Sequence, residues 1–266
     1  MVALWLHGKS DHSQRAYSAD VSHFFSFVGK PLQSVILADL QAWSDSLDGA
    51  QNSKRRIVSS IKSLFTFAHK LGYVHFNVGA ALKSPKAKDE LAARILTEEQ
   101  VMAMIAKTDK PRDKVLIRLL YASAGRISEV SALSWRDVQP NGETGQVTLF
   151  GKNGDTRAVK LSKSTWQALL GLRGDAGNNA PVFVSQKGGR LDETQVHRIV
   201  RAAAQRAGIE GNVSAHWLRH SHASHALDRG ASIALVRDTL GHKNLAVTSR
   251  YTHAKPNDSS ALHLAV

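Results

Sequence analysis

Apolar residues in the N-terminal third of the chain recur with helical spacing. Tyr17, Val21, Phe24, Phe25 and Val28 fall on one helix face, and Ile57, Ile61, Leu64, Phe65 and Ala68 on another. The pattern breaks at Lys83-Ser-Pro-Lys-Ala-Lys-Asp-Glu90, a charged stretch in which Pro85 cannot continue a helix. Periodicity then resumes. Thr97-Glu-Glu-Gln100 has capping-box spacing ahead of Val101, Met104 and Ile105, and Asp109-Lys-Pro111 opens a helix bearing Val115, Leu116, Leu119 and Leu120. Only the middle departs from this rhythm. Gln146–Phe150 and Arg157–Leu161 read as strands flanking Gly151-Lys-Asn-Gly-Asp155, where Asn153-Gly154 is a hairpin signal. Pro181–Ser185 is expected as a third short strand. Helices follow at about Glu193–Ala207, Ala215–Leu227 and Ile233–Leu240, punctuated by Gly208, Gly230 and Gly241. The predicted fold is mainly α: a small helical domain over 1–84, a linker over 85–92, and a larger mixed, mostly helical domain over 93–266 with a small antiparallel hairpin.

Composition narrows the class. The 266 residues carry no cysteine, which excludes disulfides, thiolate zinc sites and cysteine nucleophiles and fits an intracellular address. No apolar run is long enough to suggest a membrane span, and MVALWLHGKSDHSQRAY is too short in apolar residues for a secretory leader. Charge changes the picture more. Thirty-five Lys and Arg against 22 Asp and Glu leave a net +13 and a pI near 10.1, a surplus that attracts polyanions. Nucleic acid is the commonest of these inside cells; a ribosome-associated protein or a merely basic surface are the plainer readings.

Cutting a phosphodiester without a metal requires a nucleophile, cations for the phosphoryl oxygens and a proton donor for the leaving hydroxyl. Arginine suits the second task because its planar guanidinium grips two oxygens and stays charged. Three C-terminal islands offer such groups: Ala124-Gly-Arg-Ile-Ser-Glu129, His216-Trp-Leu-Arg-His220, and Leu240-Gly-His242 followed by Thr248-Ser-Arg-Tyr251. Taken singly, each residue has a plainer role. Tyr251 reads as a half-buried tyrosine, Arg126 with Glu129 as a helix ion pair, and Lys152 as a solvated turn lysine. His216 and His220 share a helical face, yet without an H-E-x-x-H motif or a cysteine they are not expected to hold a metal. His220 and His225 are expected to support packing.

The order Arg126, Lys152, His216-x-x-Arg219, His242, Tyr251 resembles the tyrosine recombinase (phage integrase) family, and Xer-type recombinases in particular, from about Ser10 to Ala254. The resemblance implies a site-specific recombinase that needs neither metal nor nucleotide cofactor. Tyr251 would attack phosphorus to leave a 3′-phosphotyrosine, Arg126 and Arg219 would clamp non-bridging oxygens, and Lys152 would protonate the leaving 5′-oxygen. His216 and His242 would bond the phosphate and assist proton movement at the tyrosine, with Glu129 orienting a guanidinium. It also implies a helical core-binding domain at the N-terminus that clamps double-stranded DNA, followed by a catalytic domain. Read from its own residues, Asn52-Ser-Lys-Arg-Arg56 opens a helix whose cations Lys54, Arg55 and Arg56 lie toward DNA phosphates or, in the plainer reading, at a solvated helix end. Homo-tetramers on two synapsed sites, a monomer when free, and cytoplasmic, nucleoid-associated placement follow from the same resemblance, which leaves room for an accessory protein or a second recombinase.

Two departures stand out. Ser123-Ala-Gly-Arg126 replaces the usual Thr-Gly-Leu-Arg, moving the permissive glycine beside the arginine, and Gly-Lys-Asn-Gly-Asp155 replaces Gly-Lys-Gly-Asn-Lys. Fifteen residues follow Tyr251, so the intersubunit helix common in the family is the least secure expectation. A type IB topoisomerase-like enzyme and a non-cleaving architectural protein are the competing functions. Dimer resolution and chromosome partition, integration or excision all remain open as outcomes.

Overall fold

Ser10 starts the first long helix by accepting a hydrogen bond from the Ser13 amide, and Gly29 ends it in the left-handed conformation. The computed structural model describes residues 1–86, 90–151 and 154–252, and the chain divides into two units, Met1–Asp89 and Glu90–Val266. The first is all helical: α1 (Val2–Leu6), α2 (Asp11–Val28), α3 (Leu37–Asp45), α4 (Gln51–Lys70) and α5 (Val78–Ala81). Its core surrounds an aromatic cluster with aliphatic side chains. Phe24 meets Trp43 and Phe65 edge-on, and all three are fully buried. The apolar faces read from α2 and α4 pack here, joined by a polar tie: Arg56 makes a bidentate pair with buried Asp20 at 2.6 and 2.8 Å, and Ser60 bonds the same carboxylate.

The second unit carries α6 (Glu98–Ala106), α7 (Pro111–Ser123), α8 (Ile127–Ser131), α9 (Lys163–Leu170), α10 (Glu193–Ala207), α11 (Ala215–Asp228), α12 (Ile233–Leu240) and α13 (Leu245–Ser249). The Thr97–Gln100 capping box forms as read, with both reciprocal hydrogen bonds present. Between α8 and α9 runs a three-stranded antiparallel sheet in the order β1 (Val138–Asn141), β2 (Thr144–Phe150), β3 (Thr156–Leu161). The mainly helical fold with a small antiparallel element is therefore the one expected from the sequence.

One strand was misplaced. Pro181–Ser185 makes only isolated bridges, Ser134 with Pro181 and Val184 with Arg190. The third strand is instead Val138–Asn141, whose short Val-Gln-Pro-Asn run has no apolar alternation. It pairs because it lies at the sheet edge, where Pro140 opposite Gly145 interrupts no further ladder.

The junction between α7 and α8 also differs from the sequence reading. Ala124, not Gly125, adopts the left-handed conformation (φ 48°) that ends α7. Gly125 is needed for another reason. A Cβ there would lie 2.4 Å from Val130 Cγ2, so the absence of a side chain lets the chain turn tightly into α8. An alanine in this region costs about 1–2 kcal/mol, held here by complete burial of its methyl among Ala223, Val236, Leu240 and Tyr251.

Candidate active site

His216, Arg219 and His220 stand at i, i+3 and i+4 on α11 and so share one face. Arg219 is only 5% exposed. Its Nη1 donates to the Ala124 carbonyl and its Nη2 to the Leu240 carbonyl, each at 2.5 Å. Both acceptors lie at helix C-termini, those of α7 and α12, where carbonyls lack intrahelical partners and carry partial negative charge. Among the described residues no carboxylate pairs with Arg219. Burial, followed by the charges of Arg126 and Arg157, pulls its pKa down to about 10, which leaves it cationic at neutral pH.

Arg126 occupies the N-cap of α8. Glu129, 3% exposed, accepts from the Arg126 amide at 2.8 Å and from its Nη1 at 2.7 Å. The same carboxylate receives Arg157 from β3 at 3.0 and 2.7 Å, while Arg157 Nε donates to the Thr239 carbonyl. Arg157 thereby links the sheet, α8 and the end of α12. It was not among the expected site residues. The signal was present in the strand alternation, which puts Arg157 in phase with buried Val159 and Leu161 and so demands an acidic partner.

After α12, Gly241 turns left-handed (φ 65°), where a Cβ would press against the Arg157 guanidinium. His242 follows, its Nδ1 2.9 Å from the hydroxyl of buried Thr248. Tyr251 lies in a 3-10 turn, Arg250–Thr252, with its ring packed on Ala124, Ala223, Val236 and Leu240 and 6% exposed. Its hydroxyl is 2.7 Å from Nδ1 of His220. Arg126, His216, Arg219, His220, His242, Arg250 and Tyr251 line one cleft of about 190 Å³. A neighbouring cleft of about 440 Å³ continues past Arg94, Arg126, His216 and His220.

The remaining expected residues sit as follows. Lys152, with Asn153 of the hairpin signal, falls outside the described residues; beside it, Gly151 bonds back to the Asp155 carbonyl. The tail after Thr252 is also outside them. Lys54, Arg55 and Arg56 lie in the first turns of α4, in the other unit. Arg56 is committed to Asp20, whereas Lys54 and Arg55 make no ion pair among the described residues. His225 bonds the Tyr121 hydroxyl, a packing role, but His220 does not merely pack: it holds Tyr251. Among the described residues no group of three or more His, Asp or Glu is arranged to hold a metal, and no helix is long and apolar enough to cross a membrane.

The electrostatics make a test of the site's integrity. His220, His222 and His242 are each pulled down to about 4, first by burial and then by nearby cations, although the Tyr121 carbonyl opposes the shift at His222. Burial raises Glu129, but the hydrogen bonds from Arg157 and Arg126 together outweigh it and hold the carboxyl at about 2. An unfolded histidine titrates near 6.5, so between 6.5 and 4 the unfolded chain takes up protons the folded chain refuses. The histidine contribution is thus complete above about pH 6.5 and lost as pH falls toward 4. The Glu129 contribution is complete above about 4.5 and lost toward 2. Melting temperature is expected to decline in these two stages, and Glu129→Gln should erase the second while keeping the first. A melting temperature unchanged between pH 7 and 5 would contradict the neutral, buried histidines.

Comparison with known proteins adds ancestry to this geometry. The sequence profile described as the Phage integrase family matches residues 94–258, and that of the phage integrase N-terminal SAM-like domain matches residues 3–72. A tyrosine recombinase XerC of Rhodospirillum centenum is 34% identical over 97% of this chain and 80% of its own length. The XerC of Xanthomonas campestris pv. campestris is 35% identical over 76% of this chain and 63% of its own. Among solved structures, a lambda integrase (75–356) dimer bound to a COC′ core site aligns with a TM-score of 0.78 at 18% identity, covering 97% of this chain and 94% of that one. XerH bound to its difH substrate aligns at 0.74 with 21% identity, covering 94% and 77%. At those identities the structures speak for the fold.

Proposed function

The chain belongs to the phage integrase family of tyrosine site-specific recombinases, and from that premise we propose that it cleaves and rejoins DNA through a 3′-phosphotyrosyl bond to Tyr251. The observation that carries this reading is Arg219: a buried guanidinium with no carboxylate partner among the described residues, set in the cleft that also holds a tyrosine hydroxyl. A buried cation satisfied only by carbonyl dipoles is prepared for an anion. The phosphodiester of a DNA strand supplies one.

In this reading the Tyr251 oxygen attacks phosphorus and the 5′-oxygen leaves. Arg126 and Arg219 neutralise the charge that develops on the non-bridging oxygens, and their fixed partners spare them reorganisation during the reaction. Glu129 and Arg157 act behind them by fixing the direction of Arg126. His216 and His242 hydrogen-bond phosphate oxygens, and Lys152 protonates the leaving 5′-oxygen. The bond energy stays in the phosphotyrosine, so rejoining needs no nucleotide. The DNA-bound lambda integrase and XerH, and a lambda integrase tetramer on a Holliday junction, support double-stranded DNA as partner and a tetramer on paired sites as the working assembly. Lys54 and Arg55 on α4 are the N-terminal contacts proposed for DNA phosphates, with Arg56 held back by Asp20.

The test is to incubate the full chain with a randomised, nicked duplex library in EDTA, denature it, and recover protein-linked DNA. We expect a covalent adduct whose tryptic peptide carries the nucleotide on Tyr251, together with an enriched target sequence. No adduct, or an adduct on another residue, overturns the reading. Paired copies of the recovered site should then give recombinant products; relaxation without exchange would instead mark a topoisomerase.

A further inference from the structure

We propose that His220 is the proton acceptor for Tyr251, taking the phenolic proton on Nδ1 as the tyrosine oxygen attacks and returning it when the strand is rejoined. The inference rests on the phosphotyrosyl reading and assigns a catalytic duty to a histidine of the His216-Trp-Leu-Arg-His220 island for which the sequence suggested only packing. Its basis is geometric. Among the described residues the Tyr251 hydroxyl hydrogen-bonds to His220 Nδ1, at 2.7 Å. The other two histidines of the cleft are placed for different work: His242 Nδ1 is occupied by Thr248, and His216 stands one turn earlier on α11, edge-on to the His220 ring.

Chemistry sets the direction of the bond. Phenol is the stronger acid and an imidazole nitrogen the stronger base, so the hydroxyl donates and Nδ1 accepts, with the imidazole proton on Nε2. The surroundings keep His220 unprotonated and ready. Burial comes first, followed by His216 and Arg219 on its own helix, Arg94 on the 3-10 turn Ala92–Arg94, and Arg250 on the turn that carries Tyr251. Burial likewise holds Tyr251 as the neutral phenol, against the opposing pull of Arg219 and Arg250. Proton transfer at rest is therefore unfavourable, which guards the nucleophile. A phosphodiester entering the cleft brings a negative charge beside His220 and raises its basicity. In the attack the Tyr251 O–H bond breaks and the proton passes to Nδ1, the tyrosine oxygen bonds phosphorus, and the bond from phosphorus to the 5′-oxygen breaks. In rejoining each change reverses.

The experiment is single-turnover cleavage of a suicide duplex carrying the recovered site, from pH 5 to 9, for the wild type, His220→Ala, His220→Asn and Lys152→Ala. Asparagine presents an amide oxygen near the Nδ1 position and so keeps an acceptor for the hydroxyl, but it cannot take up a proton. Both His220 variants are expected to cleave about 10²- to 10³-fold more slowly at neutral pH. Added imidazole should partly restore His220→Ala. A substrate with sulfur in place of the leaving 5′-oxygen needs no acid. It should rescue Lys152→Ala and leave both His220 variants slow. Wild-type cleavage by His220→Asn would reduce His220 to a positioning residue, and rescue by the sulfur substrate would move it to the leaving-group side; either result overturns the proposal. Failure of the wild type to form any adduct would instead strike the phosphotyrosyl reading, so the two failures are distinct.

Discussion

Tyr251→Phe is expected to abolish the covalent DNA adduct altogether while leaving DNA binding and folding nearly intact. The two expectations come from different parts of one side chain. The ring packs against Ala124, Ala223, Val236 and Leu240 and is almost wholly buried, and phenylalanine reproduces every one of those contacts. What the variant loses is the hydroxyl and its bond to His220, a change of about 1 kcal/mol in stability. The phenyl ring has no atom able to bond phosphorus. Loss of adduct in a protein whose melting temperature falls by no more than a few degrees would therefore isolate the nucleophile from the scaffold. Adduct persisting in Tyr251→Phe would place the covalent chemistry on another residue and dismantle the assigned site.

Arg219→Ala should reduce strand cleavage by about 10³-fold or more, since it removes a preorganised cation from a largely dry site. DNA affinity, which draws on many phosphate contacts across a basic surface, should weaken by no more than about tenfold. This substitution also removes the link between two helix ends. The Ala124 and Leu240 carbonyls lose their donors, at about 1–3 kcal/mol each where no water replaces them, so melting temperature must be measured alongside. Arg219→Lys is the informative companion. An ammonium keeps the charge but cannot reach both carbonyls and also present a planar edge to a phosphate. Cleavage is expected to stay low in Arg219→Lys although binding recovers. Weakened binding with undiminished cleavage would contradict the clamp role.

The sequence by itself determined α2, α4, α6, α7, α10, α11 and α12, because their evidence is local, whereas α1, α3, α5, α8, α9 and α13 went unread. The 3.6-residue recurrence on α2, α4 and α7, the Thr97–Gln100 box and the glycines closing α10 and α12 each act within a turn or two of chain. It also determined which side chains were chemical candidates, since His216, Arg219, His242 and Tyr251 stand in an ordered set of short islands whose charge suits a phosphate. Only the tertiary structure decided how those islands meet. That Arg219 would rest on the carbonyl ends of α7 and α12 depends on contacts 95 and 21 residues away in sequence. The same is true of Arg157, which looks like one more strand residue until the fold brings it to Glu129, 28 residues earlier. Ala124 in a left-handed turn ran against the residue's own preference, and the burial of its methyl outweighed that preference. His220 shows the limit most clearly. A helical face reveals that it lies near His216, but whether a histidine packs, binds metal or holds a nucleophile depends on what the fold sets against it, and that partner, Tyr251, arrives from 31 residues on. Hydrogen-bond partners distant in sequence are fixed by three-dimensional closure, which local sequence does not encode.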